Sequence, residues 1–184
     1  MTEKEKYVFD NMLARRSVRK YVKGKQVEKD KIKKLLEAAM AAPSACNIQP
    51  WEFIVVTDPS SIKKIEDVVI EGYFDATLLV VVCGYAGFIP WEGDIGTIDC
   101  AAAIENMLLA ATAMDLGSVW IGGYDSGAVK KLLDIPDDVH PVSIVYFGYP
   151  ESVPEPRTQY TDQAVHWEKF DAGRGHVKRD GCIV

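Results

Sequence analysis

The 184-residue sequence predicts an α+β protein of three layers, α/β/α, in which a central sheet of about four strands is covered by helices on both faces. Three observations predict it. Five helix-type and four strand-type periodicities alternate along the chain. One strand run, TLLVVVCGY at 77–85, is apolar on both faces and therefore belongs at the centre of a sheet. No strand is followed by GxGxxG or GxxxxGK[ST], so the nucleotide-binding parallel folds lack their phosphate loops.

The elements follow in order. Residues 3–15 form a short helix with Val8, Phe9, Met12 and Leu13 on one face. In VEKDKIKKLLEAAMAA, the residues Ile32, Leu35, Leu36, Ala39 and Met40 keep helical spacing, and Pro43 closes the segment. WEFIVVT (51–57) reads as a buried strand, and DPSSIKKIEDVVI as a turn followed by a capped helix. After the 77–85 strand comes a Gly- and aromatic-rich loop, GYAGFIPWEGDIG, long enough to act as a lid. Residues 97–116 make the longest helix, with Asp99 near its start and Gly117 as its stop. SVWIGGY is a short strand running into two glycines. Asp125 or Ser126 caps a helix reaching Leu133, and VSIVYFGYP (142–150) is the last strong strand. Residues 1–150 then form one domain, and 151–184 an extended tail without periodicity.

With 48% apolar and 26% charged residues, the chain has the composition of an ordinary globular domain. A net charge of -6 argues against nucleic acid as a partner, and the longest apolar stretch is broken by Glu105 and Asn106, which argues against a membrane. Residues 1–34 nevertheless hold 12 of the 21 basic residues, a basic end on an acidic protein. Cys46, Cys83, Cys100 and Cys182 form no CxxC and no metal-type cluster with His140, His166 or His176. The expectation is therefore no metal site, no disulfide framework and a cytoplasmic location, the start MTEKEKYVFD having no apolar signal region.

Three segments carry candidate chemistry. RRSVRKY supplies Arg15, Arg16, Ser17 and Arg19; in extended backbone Arg15, Ser17 and Arg19 project to one side. Two forked cations around a small donor make a phosphate clamp, or else a basic exposed turn. PSACNIQPW offers Ser44, Asn47 and Gln49 on a proline-fixed backbone, either to edge-bond a planar heteroaromatic ring or simply as a polar loop. In VWIGGY, Gly122 and Gly123 let a backbone N–H approach a ligand closely, or make an ordinary turn. No serine, histidine and aspartate form a recognisable nucleophile set, and there is no HExxH. The candidate segments bind rather than react, which fits a protein whose cofactor supplies the reactivity.

RRSVRKY after a first helix, APSACNIQPWEF after the second, WIGG after a long Ala-rich helix and FGYPE…PEPR near the end together resemble the FMN-dependent nitroreductase family, from about residue 7 to 160. The resemblance implies an α+β fold with a mainly antiparallel sheet, built as an intertwined homodimer with FMN at the interface. It implies hydride transfer from NAD(P)H to flavin N5 and onward to a nitroaromatic, quinone or similar small-molecule acceptor. A flavin-binding protein without turnover (a sensor or store) and the flavin-fragmenting or dehalogenating chemistries of the superfamily are the alternatives.

By position, Arg15, Ser17 and Arg19 would hold the FMN phosphate, ribityl chain and pyrimidine edge, within the basic segment that also contains Arg16. Arg157 would add a late contact to the phosphate. Pro43, Ser44, Ala45 and Asn47, with Gln49 beside them, would line the isoalloxazine from the other subunit. Ile121, Gly122 and Gly123 would pass along the ring, one glycine N–H facing N5. Larger relatives carry an acidic residue where Gly122 stands. The aromatic tail TQYTDQAVHWEKF would dock on the partner subunit.

Overall fold

The computed structural model describes residues 1–70, 73–85, 95–155 and 160–175. Its sheet contains β1 (Trp51–Val56), β2 (Leu78–Tyr85), β3 (Gly117–Ile121) and β4 (Val139–Gly148), in the order β1-β2-β4-β3 with every pair antiparallel. β2 is central, as its two-sided apolar run requires. Leu79, Val81 and Cys83 enter one core and Leu78, Val80 and Val82 the other, the period-two division of a strand buried on both faces.

Helices complete the three layers. α2 (Lys29–Met40) and α4 (Ile95–Ala113) cover one face, where Leu35, Ala39, Ile104 and Met107 meet Leu78, Val80 and Phe147. α3 (Pro59–Glu66) and α5 (Ser126–Leu132) cover the other, where Ile62, Ile65 and Val129 meet Leu79, Ile144 and Tyr146. Asp58 caps α3 by accepting from Ser61 N, and Asp125 caps α5 by accepting from Ala128 N. α1 (Glu3–Ala14) begins with a capping box between Thr2 and Glu5, yet buries none of its side chains. Tyr7, Phe9 and Leu13 stay more than half exposed.

Four readings of the sequence need correction. β1 is an edge strand in which Trp51 and Val56 are buried while Glu52 and Val55 are exposed, so FIVVT is not a buried strand. Met40 shares the helical spacing of Leu35 and Ala39 but is exposed, because it occupies the last position of α2 beyond the reach of the sheet. The stop of α4 is Asp115, which takes the left-handed conformation (φ 59°) while Leu116 N donates to Ala111 O at 2.9 Å. Gly117 instead opens β3, and it must lack a side chain because a Cβ would stand 2.8 Å from Val18 Cγ1. Finally, the described part of the tail is not extended. It forms tight turns at Asp162–Ala164 and Ala172–Arg174, with the His166 ring stacked on Phe170 at 4.3 Å.

Candidate functional site

The basic segment owes its shape to the burial of Val18 and Tyr21. Past the end of α1 the chain turns extended at Arg15 (φ -56°, ψ 129°). Val18 and Tyr21 then enter the core beside Val119 and Tyr146, at 3% and 2% exposure. Ser17 and Arg19, on either side of Val18, therefore face solvent. Val18 N donates to Ser118 O at 2.9 Å, Val22 N to Tyr149 O at 2.8 Å and Glu151 N to Lys20 O at 3.1 Å, stitching the segment to the ends of β3 and β4. Tyr21 Oη donates to Val18 O at 2.7 Å, and burial pushes the phenol pKa upward, so the hydroxyl stays a donor. Gly148 makes room for this ring: a Cβ there would stand 2.9 Å from Tyr21 Cδ1.

The four polar side chains of this segment are not equivalent. Arg16 is committed to its own chain, with Nε donating to Glu155 O at 3.0 Å and Nη1 to Arg15 O. Arg15 makes a loose, half-exposed ion pair with Glu105 at 3.7 Å, an interaction worth only about 0–1 kcal/mol. Arg19 and the Ser17 hydroxyl have no hydrogen-bond or ion-pair partner among the described residues. They are the uncommitted donors.

The loop after α2 is held differently. Pro43, Cys46, Asn47 and Gln49 are exposed, Ser44 and Ala45 half-buried. A short 3-10 turn spans Ala45–Asn47. Ser44 O accepts from Asn47 N at 3.0 Å, Ser44 Oγ from Gln49 N at 2.9 Å, and Asn47 Oδ1 from Gln49 Nε2 at 3.1 Å. These bonds leave the Ser44 hydroxyl proton, the Asn47 NH2 and the Gln49 carbonyl for a ligand. The Ala45 N–H points to Asp99, at 3.2 Å from each carboxylate oxygen. Sequence reasoning took Asp99 only as a residue near a helix start. The single signal available was an acidic residue early in an otherwise apolar helix.

At the end of β3, Ile121 is fully buried and the chain passes into Gly122 and Gly123. Ile70 N donates to Gly123 O at 2.9 Å and Asp125 N to Val68 O at 2.9 Å, fixing this strand end against the segment after α3. No loop or turn hydrogen bond among the described residues uses the N–H of Gly122 or Gly123. A Cβ at Gly122 would meet nothing within 4 Å, so the space beside it is available to a ligand.

The fold thus brings Ser17 beside Ser118 of the strand that leads to Gly122 and Gly123. Among the described residues no hydrogen bond or ion pair joins the 43–49 loop to that group. Arg157 and residues 86–94 of the suggested lid lie outside the described residues.

A four-stranded antiparallel sheet between two helical layers, with uncommitted donors at Ser17 and Arg19 beside the start of β3 and two glycines after its end, defines a three-layer α+β protein. The profile of the nitroreductase family matches residues 12–77 and 93–149, and the chain belongs to that family. An Archaeoglobus fulgidus protein named "Putative NADH dehydrogenase/NAD(P)H nitroreductase" is 38% identical over 165 residues, covering 85% of this chain and 94% of its own. A Staphylococcus haemolyticus protein named NADPH-dependent oxidoreductase is 30% identical over 178 residues, covering 84% and 70% respectively. Among solved structures, a Clostridium difficile protein described as an FMN-dependent nitroreductase superposes with a TM-score of 0.78 at 26% identity, over 88% of this chain and 99% of that one.

Proposed function

We propose that this chain is an FMN-dependent oxidoreductase that takes hydride from NAD(P)H and delivers electrons to a small acceptor, such as a nitroaromatic or a quinone, in two successive half-reactions. Relatives named for NAD(P)H and FMN support the choice of reductant and cofactor. The observation that carries the reading to this chain is the uncommitted pair Ser17 and Arg19, held outward by the buried Val18 between them.

The residues fit a flavin mononucleotide. Arg19 and the loosely paired Arg15 offer guanidiniums to a dianionic phosphate, and Ser17 a hydroxyl to the polyol chain. Arg157 would join the phosphate set, whereas Arg16 would brace the segment from behind. Ser44, Asn47 and Gln49 suit the polar edge of the ring, and Gly122 and Gly123 allow close backbone approach to its face. When bound, the flavin supplies a ring nitrogen that accepts hydride. The chain's own groups bind, orient and exclude water, and no side chain here acts as a nucleophile.

The assembly proposed is a homodimer in which the 43–49 loop of one copy completes the site of the other. Two observations support it: among the described residues no hydrogen bond or ion pair joins that loop to residues 15–19 of its own chain, and α1 leaves Tyr7, Phe9 and Leu13 exposed. Initial rates with NADPH or NADH varied against a quinone test the two-step scheme. Parallel double-reciprocal lines are expected. Intersecting lines would put both substrates on the protein at once and contradict it.

A further inference from the structure

The 43–49 loop stores strain that something outside it must offset. Cys46, Asn47 and Gln49 have φ of 51°, 55° and 53°, three left-handed non-glycine residues within four positions. Backbone of this kind persists only where its surroundings over-determine it. The Ser44–Asn47, Ser44–Gln49 and Asn47–Gln49 bonds lie wholly inside the loop. They hold its shape but do not hold it to the body of the protein.

Among the described residues, the polar contact that ties residues 43–49 to the body is the one from Ala45 N to Asp99, 54 positions along the chain. Asp99 is only 6% exposed, and it makes no ion pair among the described residues. A carboxylate so far from water is costly unless donors face it, so Asp99 has as much need of the Ala45 amide as the loop has of Asp99. Its mount is rigid: Cys100, Ala103 and Ile104, on the same stretch of α4, are fully buried.

We infer that Asp99 is a positioning residue for the flavin site: its carboxylate grips the Ala45 N–H and holds the 43–49 loop in the left-handed shape that presents Asn47 and Gln49 to the ring. The inference rests on the flavin reading given above. Asp99 touches neither flavin nor substrate in this account. Its effect reaches the site through the backbone.

Three variants of the full chain test it, each purified as produced. The readouts are hydrogen exchange over the peptide 43–50 and the release of FMN on dilution, followed by the rise in free-flavin fluorescence. Asp99→Ala should exchange faster in that peptide and retain FMN about tenfold more weakly, the loss of one charge-assisted hydrogen bond. Asp99→Asn keeps a carbonyl oxygen for the Ala45 N–H and should stay within about threefold of the parent on both. Ala45→Pro removes the donor and leaves Asp99 in place. Ser44 already has φ -138° and ψ 155°, the conformation a residue before proline adopts, so the preceding residue needs no change. It should behave as Asp99→Ala does, and it decides the matter if Asp99→Ala does not fold. Unchanged exchange and unchanged FMN retention in Asp99→Ala, or in Ala45→Pro where Asp99→Ala does not fold, would overturn the inference. A parent chain that neither carries FMN nor takes it up would sink the flavin reading instead, while the exchange comparison would still report whether Asp99 holds the loop.

Discussion

Residues 15–21 and residues 43–49 both turn polar side chains to solvent, but the first segment is anchored by apolar burial as well as backbone hydrogen bonds, and the second by hydrogen bonds without a fully buried side chain. In the first, Val18 and Tyr21 fill space that Gly117 and Gly148 leave free, and Ser17 and Arg19 point outward as a consequence. In the second, no side chain from Pro43 to Gln49 is fully buried, and shape comes from left-handed backbone and the Asp99 tether. In the proposed flavin site, one wall is then fixed by packing and the other by a few polar contacts. The second wall is the easier to disturb.

The comparison breaks most visibly if the two walls do not belong to different copies. Phe9 is 54% exposed in the single chain, where Phe9→Glu should cost almost nothing, since surface changes usually stay within about 0.5 kcal/mol. In a homodimer closed over α1, the same change places a charge against apolar surface. The variant should sediment as a monomer and lose its flavin in the same step. A dimeric variant with full flavin content would remove α1 from the interface.

Next in size is the packing anchor. Tyr21→Ala should lower stability by about 3–5 kcal/mol, as deleting a buried aromatic ring does, read from the urea midpoint. A loss below about 1 kcal/mol would mean that burial does not fix this segment.

Arg19→Ala separates binding from packing within one segment. It should weaken FMN by about tenfold to a hundredfold, the worth of one charge-assisted hydrogen bond, with the urea midpoint unmoved. Unchanged affinity would reduce the basic segment to a solvated face.

How far each wall could be read from the sequence follows the same division. The alternation Ser17, Val18, Arg19 is a local pattern, and local patterns of burial can be read without a structure. So can the central place of TLLVVVCGY, apolar on both faces, and the presence of a capped helix after DPSS and another after Asp125 or Ser126, of which Asp125 is the cap. The 43–49 loop could be recognised as over-supplied with polar groups, but not how it is held. Its tether lies 54 residues away, and nothing in CNIQ announces left-handed backbone at three positions. The edge position of β1 was equally hidden, because strand order is a property of the assembled sheet and not of any one run. Alternation set Arg16 on the other side from Arg15, Ser17 and Arg19, but not that its guanidinium would be taken by the carbonyl of Glu155.

The smallest expected effect sharpens the account of the loop. Cys46→Gly relieves one left-handed residue and should raise stability by no more than about 1 kcal/mol, offset in part by added chain entropy. The rate of flavin reduction in stopped flow should stay close to that of the parent. A loss of a hundredfold would expose a working thiol at Cys46, against the view that the loop only positions.

The visible spectrum of the purified protein, recorded before and after anaerobic addition of NADPH or NADH, tests the central claim most directly. The account predicts yellow flavin absorption that bleaches with the reduced nucleotide and returns when a quinone is added. A colourless protein that takes up no added FMN, or a yellow one that neither nucleotide bleaches, would contradict it.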